Sequence, residues 1–168
     1  MIRILFIRLT KPLPLPYLWQ HILLAIPRIA CGYMLTSDFG AAKFGMPWSP
    51  AENNLGLFET AFWFPNDVAA FGGIFATFPV FFAWMGAFSE AVGGLLLIFG
   101  FQTRIVSFLL ICTMYVATFV QHGGEDLWNK LPGMGFLWVV LFTAILGSGK
   151  IGIDYLLTSK TIANENPI

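Results

Sequence analysis

Two stretches, Pro79–Phe101 and Leu131–Gly149, carry no charge apart from one carboxylate, Glu90, near the middle of the first. A hydrocarbon core roughly 30 Å thick needs about 20 helical residues to cross it, and both stretches are long enough. A charge at mid-membrane is costly and marks either a partner or a task. Glu90 is therefore the residue that the rest of the chain has to explain.

The composition points the same way. Hydrophobic residues make up 57% of the chain and charged ones 11%, against about 25% charged in soluble domains. The formal net charge is zero, so there is no global basic field to attract nucleic acid. The 18 Phe and 6 Trp suit lipid-facing and interfacial positions. One membrane domain over residues 1–168 is expected, with a basic arm at 1–16, a bundle over 18–157 and a polar tail at 158–168. The arm carries Arg3, Arg8 and Lys11, and Pro12, Pro14 and Pro16 make it stiff. It lacks the small-residue cleavage site of a signal peptide and reads as retained.

The fold class expected is an all-α membrane protein, a bundle of four transmembrane helices. The spans are Leu18–Thr36 (interrupted by Pro27 and Arg28), Pro79–Phe99, Ile105–Gln121 and Met134–Ser148. Only Gly100–Arg104 separates the second and third, which predicts an antiparallel hairpin. Within the long first loop, Leu55–Phe64 and Val68–Phe78 are too short to span and too apolar to be fully solvated. They predict short interfacial or re-entrant helices on the periplasmic side. Cytoplasmic N- and C-termini would place Arg3, Arg8, Lys11, Arg104, Lys150 and Lys160 inside, leaving Lys43 and Lys130 outside. The tendency of basic residues to stay cytoplasmic favours that orientation.

Glu90 has a candidate partner in Arg28. Counted along their own spans, the two residues lie about 15 and about 16 Å deep at 1.5 Å per residue. Antiparallel neighbours would bring them together near the midplane, either as a buried pair fixing helix register or as a polar pocket for a quinone head-group or a proton. Gly86, Gly93 and Gly94 around Glu90, and Gly32 after Arg28, suit close helix packing. A second polar set gathers at the outer face: Asp38, Lys43, His122, Glu125 and Asp126. Its spacing is that of a charged helix end rather than a metal centre, and no metal is expected. His21 stands alone at the inner border of the first span. Cys31 and Cys112 form no C-x-x-C pair and read as small apolar residues. No phosphate-cradling loop, G-x-S-x-G or H-E-x-x-H motif is present.

The run Phe88–Arg104, FSEAVGGLLLIFGFQTR, resembles the core signature of the DoxX-like membrane proteins (DoxX/DoxD). Glu90, Gly93, Gly94, Gly100, Thr103 and Arg104 occupy its positions. Arg28, Gly32, Gly40, Lys43 and the closing Gly147–Leu157 segment add to the likeness. Members often carry a histidine just before the glycine aligned with Gly40, where this chain has Phe39. The resemblance implies a multi-pass protein of a bacterial or archaeal cytoplasmic membrane, associated with membrane oxidoreductase assemblies. The function expected is that of an accessory subunit of a respiratory, quinone-linked assembly, surrounded by lipids and other membrane subunits. It would hold no covalent cofactor, with quinone as a candidate ligand. The alternatives are a quinone-binding oxidoreductase acting on small sulfur compounds such as thiosulfate, and a small-molecule transporter or lipid-binding module.

Overall fold

The computed structural model describes residues 10–165, with side chains described through residue 159. Most of the basic arm therefore lies outside the described residues. Among the described residues, four helices are long and apolar enough to cross a membrane. The first comprises α1, Leu18–Met34, continued by a π-helical turn at Leu35–Gly40 and a last short turn at Ala41–Lys43. A short 3-10 turn at Ala51–Asn53 follows, and then two short α-helices, α2 (Phe64–Ala69) and α3 (Gly73–Thr77). The remaining long elements are α4 (Pro79–Phe99), α5 (Thr103–Tyr115, continued by a π turn at Val116–Gln121) and α6 (Leu127–Leu146). A terminal helix, α7, spans Ile153–Glu165. No strand is present among the described residues, only an isolated antiparallel bridge between Phe44 and Thr60.

The long helices close a ring: α1 packs on α4, α4 on α5, α5 on α6, and α6 returns to α1. Small residues set the tightest of these contacts. A Cβ added at Gly32 would lie 2.6 Å from the carbonyl oxygen of Gly94, and one at Gly40 would lie 2.5 Å from the Cα of Ala91. Thr36 Oγ1 donates to the Ala91 carbonyl at 2.5 Å. Gly93 faces the other way, toward Val106 and Leu110 of α5. Adjacent glycines thus let α4 serve two neighbours, and Leu35, Leu97, Leu110 and Val140 fill the space between the helices.

The α4–α5 hairpin closes through Gly100, whose left-handed φ of 63° ends α4. Phe101 N–H reaches the Leu96 carbonyl and Gly100 N–H that of Leu97, the Schellman arrangement that satisfies the last carbonyls of a helix. A residue from beyond α6 caps the other side of the turn. Asp154, 1% exposed, accepts from the backbone N–H groups of Gln102 and Thr103, both at 2.8 Å, and from Thr103 Oγ1 at 2.6 Å.

Two span boundaries differ from the sequence expectation. The first span does not end at Thr36 but continues to Lys43. Ser37 returns its hydroxyl to the Tyr33 carbonyl at 2.7 Å, so this polar residue does not stop the helix, and Asp38 faces outward. The fourth starts at Leu127 rather than Met134, with Pro132 held inside it; membrane helices tolerate an interior proline where neighbours re-satisfy the freed backbone groups. In the long loop, α2 and α3 are the short helices expected, but Leu55–Glu59 is a non-helical turn. Phe58 there adopts a φ of 62°, and its carbonyl accepts from Trp84 Nε1 at 3.2 Å. The tail expected to be merely polar is helical as far as Glu165.

Candidate functional site

Glu90 is the twelfth residue of α4 and lies in the most enclosed stretch of that helix, flanked by the buried Ser89 and Ala91. Its carboxylate is 5% exposed and its Oε2 lies 2.7 Å from Lys43 Nζ. Lys43 comes from the last turn of the first span, beyond the π turn, and is itself 17% exposed. Its ammonium also stands 4.8 Å from the centroid of the Phe64 ring, a cation–π contact that adds to the attraction in a desolvated setting. The lysine backbone is fixed as well, because its carbonyl accepts from Ala61 N–H at 2.9 Å. Lys43 is thereby fastened to α4 and to the long loop together.

The expected pairing of Arg28 with Glu90 is not what forms. Arg28 is 1% exposed, and its donors go to three backbone carbonyls: Leu97, Ile98 at 3.1 Å and Ile151 at 2.6 Å. The reason is register. Gly32 meets Gly94 and Thr36 meets Ala91, so the level of Glu90 corresponds to Thr36 on the first span. Arg28 lies eight residues earlier, about 12 Å away along the axis. It closes the end of the bundle where α4 finishes, taking up carbonyls that the helix end leaves free. A Cβ at Gly100 would meet Arg28 Nη1 at 2.8 Å, which explains why this turn has no side chain.

The remaining candidates divide. His122 Nδ1 lies 3.0 Å from Glu125 Oε2, and both line a cavity that Lys43 and Glu90 also line. Asp38 and Asp126 are exposed and do not join them, so the outer polar set is not one cluster. Gly32, Gly40, Gly93, Gly94 and Gly100 are packing and turn positions, Thr103 is bound to Asp154, and Arg104 donates to the Ile145 carbonyl at 3.3 Å. His21, 1% exposed, accepts the Lys150 N–H at 3.1 Å through Nδ1. Cys31 is buried, Cys112 is exposed, and both are free thiols. Among the described residues no three His, Cys, Asp or Glu side chains converge on a point that could hold a metal.

Two cavities open on the Lys43–Glu90 pair. One, of about 330 Å³, is walled by Phe64, Phe71, Phe75, Phe81, Phe82 and Met85, with Ser89 and Thr113 beside the pair. Ser89 Oγ and Thr113 Oγ1 are 2.6 Å apart and hydrogen-bonded. The other, of about 420 Å³, holds His122, Glu125 and Asn129 together with Phe39, Trp128 and Phe136. Both π turns belong to this region, one leading to Lys43 and the other supplying Ala117 and Gln121 to both cavities. Such insertions recur where a helix is adapted to a functional site.

Asp154 is the buried charge that spacing does not single out. It lies within the Gly147–Leu157 segment that resembles the family, but it caps a helix far from it in sequence, which no local pattern reveals. Phe71, Phe75 and Phe82 are likewise silent as sequence, since phenylalanines are common throughout this chain.

No curated protein and no solved structure matches the chain. The sequence model of the DoxX family matches residues 23–123, a range that contains Arg28, Lys43, Glu90, both π turns and the α4–α5 hairpin. That is more than half of the sequence, and this four-span membrane protein belongs to the DoxX family.

Proposed function

We propose that this chain is the membrane-embedded, ligand-binding subunit of a quinone-linked redox assembly. The observation that carries the reading is the Lys43–Glu90 pair set into the wall of a cavity otherwise dominated by phenylalanines. An intramembrane ionisable pair marks a functional site by default, and an apolar pocket with a few convergent polar groups is the usual form of a small-ligand site. The fit is to a flat lipophilic ring that bears carbonyl oxygens. Phe71, Phe75 and Phe82 supply aromatic faces and edges, and Lys43 supplies a charged donor for one oxygen.

A quinone, when bound, supplies an acceptor for two electrons and two protons. The chain's own residues hold the ligand, orient one of its oxygens toward Lys43 and keep a carboxylate, Glu90, beside it. The electrons come from a cofactor, a flavin or iron–sulfur cluster, carried by a partner subunit. By their order in the sequence Arg3, Arg8, Lys11, Arg104, Lys150 and Lys160 fall on the side of the termini, against Lys43 and Lys130 on the other, which favours cytoplasmic termini by the positive-inside tendency. The cavities then open toward the outer half of the membrane.

Purification in mild detergent, followed by mass spectrometry of both protein and extracted lipid, tests the proposal. A cofactor-bearing partner and a co-extracted quinone are expected. A chain that emerges alone and quinone-free from quinone-containing membranes overturns it.

A further inference from the structure

The two cavities share one wall and differ in what can enter them. Lys43, Glu90, Ala117 and Gln121 line both. The larger cavity adds the polar His122, Glu125 and Asn129 from the connection between α5 and α6 and the start of α6. Its rim is open, with Glu125 and Asn129 exposed and His122 half-buried. The smaller one is phenylalanine-walled and lies against the α2–α3 loop. We infer that the Lys43–Glu90 pair is a two-sided proton-exchange centre, reached by water-borne protons through the His122–Glu125 cavity and by a lipophilic ligand through the phenylalanine cavity.

Among the described residues, the titratable groups lining the polar route are Lys43, Glu90, His122 and Glu125, and the apolar cavity adds the Cys112 thiol. His122, held by Glu125 at 3.0 Å, stands at the mouth, where its imidazole is placed to accept and pass on a proton. The proton leaves the His122 imidazolium or water in the polar cavity and binds a Glu90 carboxylate oxygen. That O–H bond breaks as the proton passes to a ligand oxygen, and the restored carboxylate pairs again with Lys43. The matching electrons reach the ligand from the partner's flavin or iron–sulfur cofactor. The delivery step rests on the ligand reading above, whereas access from two sides does not. Ala117, in the π turn, lines both cavities beside that carboxylate.

Carbodiimides test the two routes in the wild-type chain in lipid nanodiscs. Each reagent activates a carboxyl group, and Lys43 Nζ, 2.7 Å from Glu90 Oε2, then forms an amide while the reagent leaves as its urea. Water-soluble EDC should produce the Lys43–Glu90 cross-linked peptide through the polar cavity, and lipophilic dicyclohexylcarbodiimide should produce it through the apolar one. Asn129→Trp should abolish the EDC product and spare the other. Gly86→Leu, at a position where an added Cβ finds nothing closer than 3.9 Å, should do the reverse. Cross-linking by one reagent only or by neither, or variants that fail to separate the two, overturns two-sided access. No quinone is used, so the absence of quinone from purified protein would overturn the ligand reading alone.

Discussion

A carboxylate inside a membrane helix is tolerable when an ammonium group lies against it, and Lys43 Nζ at 2.7 Å meets that need for Glu90. The lysine stem allows this from the end of its span, because a long side chain can bury its methylenes and carry its charge several ångströms from its Cα. Breaking a buried pair leaves one charge uncompensated, at a typical cost of about 3–5 kcal/mol, whereas removing both is cheaper. Thermal melts in detergent should therefore show Lys43→Met and Glu90→Gln together losing less than the sum of the two, with a coupling of at least about 1 kcal/mol. Arg28→Met and Glu90→Gln should instead add to within about 0.5 kcal/mol, since the two residues belong to separate networks. Both members of the true pair were legible as polar residues of interest. Their contact was not, because Ser37 and Asp38 read as the end of a span that in fact runs on past them.

At the scale of elements, the α1–α4 contact is made backbone to backbone, and it fixes the register that keeps Arg28 away from Glu90. A Cβ at Gly94 would stand 2.8 Å from the Gly32 carbonyl oxygen and 2.9 Å from the Thr36 nitrogen, atoms that cannot move without moving the helix. Gly94→Ala should lower stability by about 1–3 kcal/mol, the usual cost of overpacking, seen as a lower melting temperature. The α5 cap gives a second expectation. Asp154→Ala removes an acceptor from two N–H groups and one hydroxyl, and loss of a cap alone typically costs about 0.5–2 kcal/mol. Hydrogen exchange at Gln102 and Thr103 should quicken in that variant, while exchange around Glu90 should not. The glycines of this contact were readable from spacing, because a small residue inside an apolar helix has few other uses. The cap was not readable, since its partners are brought together only when α6 and α7 return to the hairpin.

For the whole molecule, one end is sealed and the other is hollow. Arg28, His21, Asp154 and Gly100 knit α1, α4, α5 and the Lys150–Asp154 segment together at the end near the hairpin. The cavities lie toward the opposite end, the phenylalanine-walled one against the short α2 and α3 helices and the polar one at the connection between α5 and α6. In a background lacking Cys112 through Cys112→Ala, a membrane-impermeant maleimide applied to intact cells should label the Lys130→Cys variant and not the Lys150→Cys variant; the reverse pattern would invert the orientation. The count of spans was legible from hydropathy alone, but the cavities were not, because they arise from side chains of the first span and of α2 to α6, elements far apart in sequence. Equilibrium binding of decylubiquinone to the chain in nanodiscs, wild type against Lys43→Met, bears most directly on the site. If Lys43 donates to a ligand oxygen, the variant should bind at least about tenfold more weakly, equivalent to about 1.4 kcal/mol; a dissociation constant unchanged by the substitution would contradict the assignment of this cavity as the ligand site.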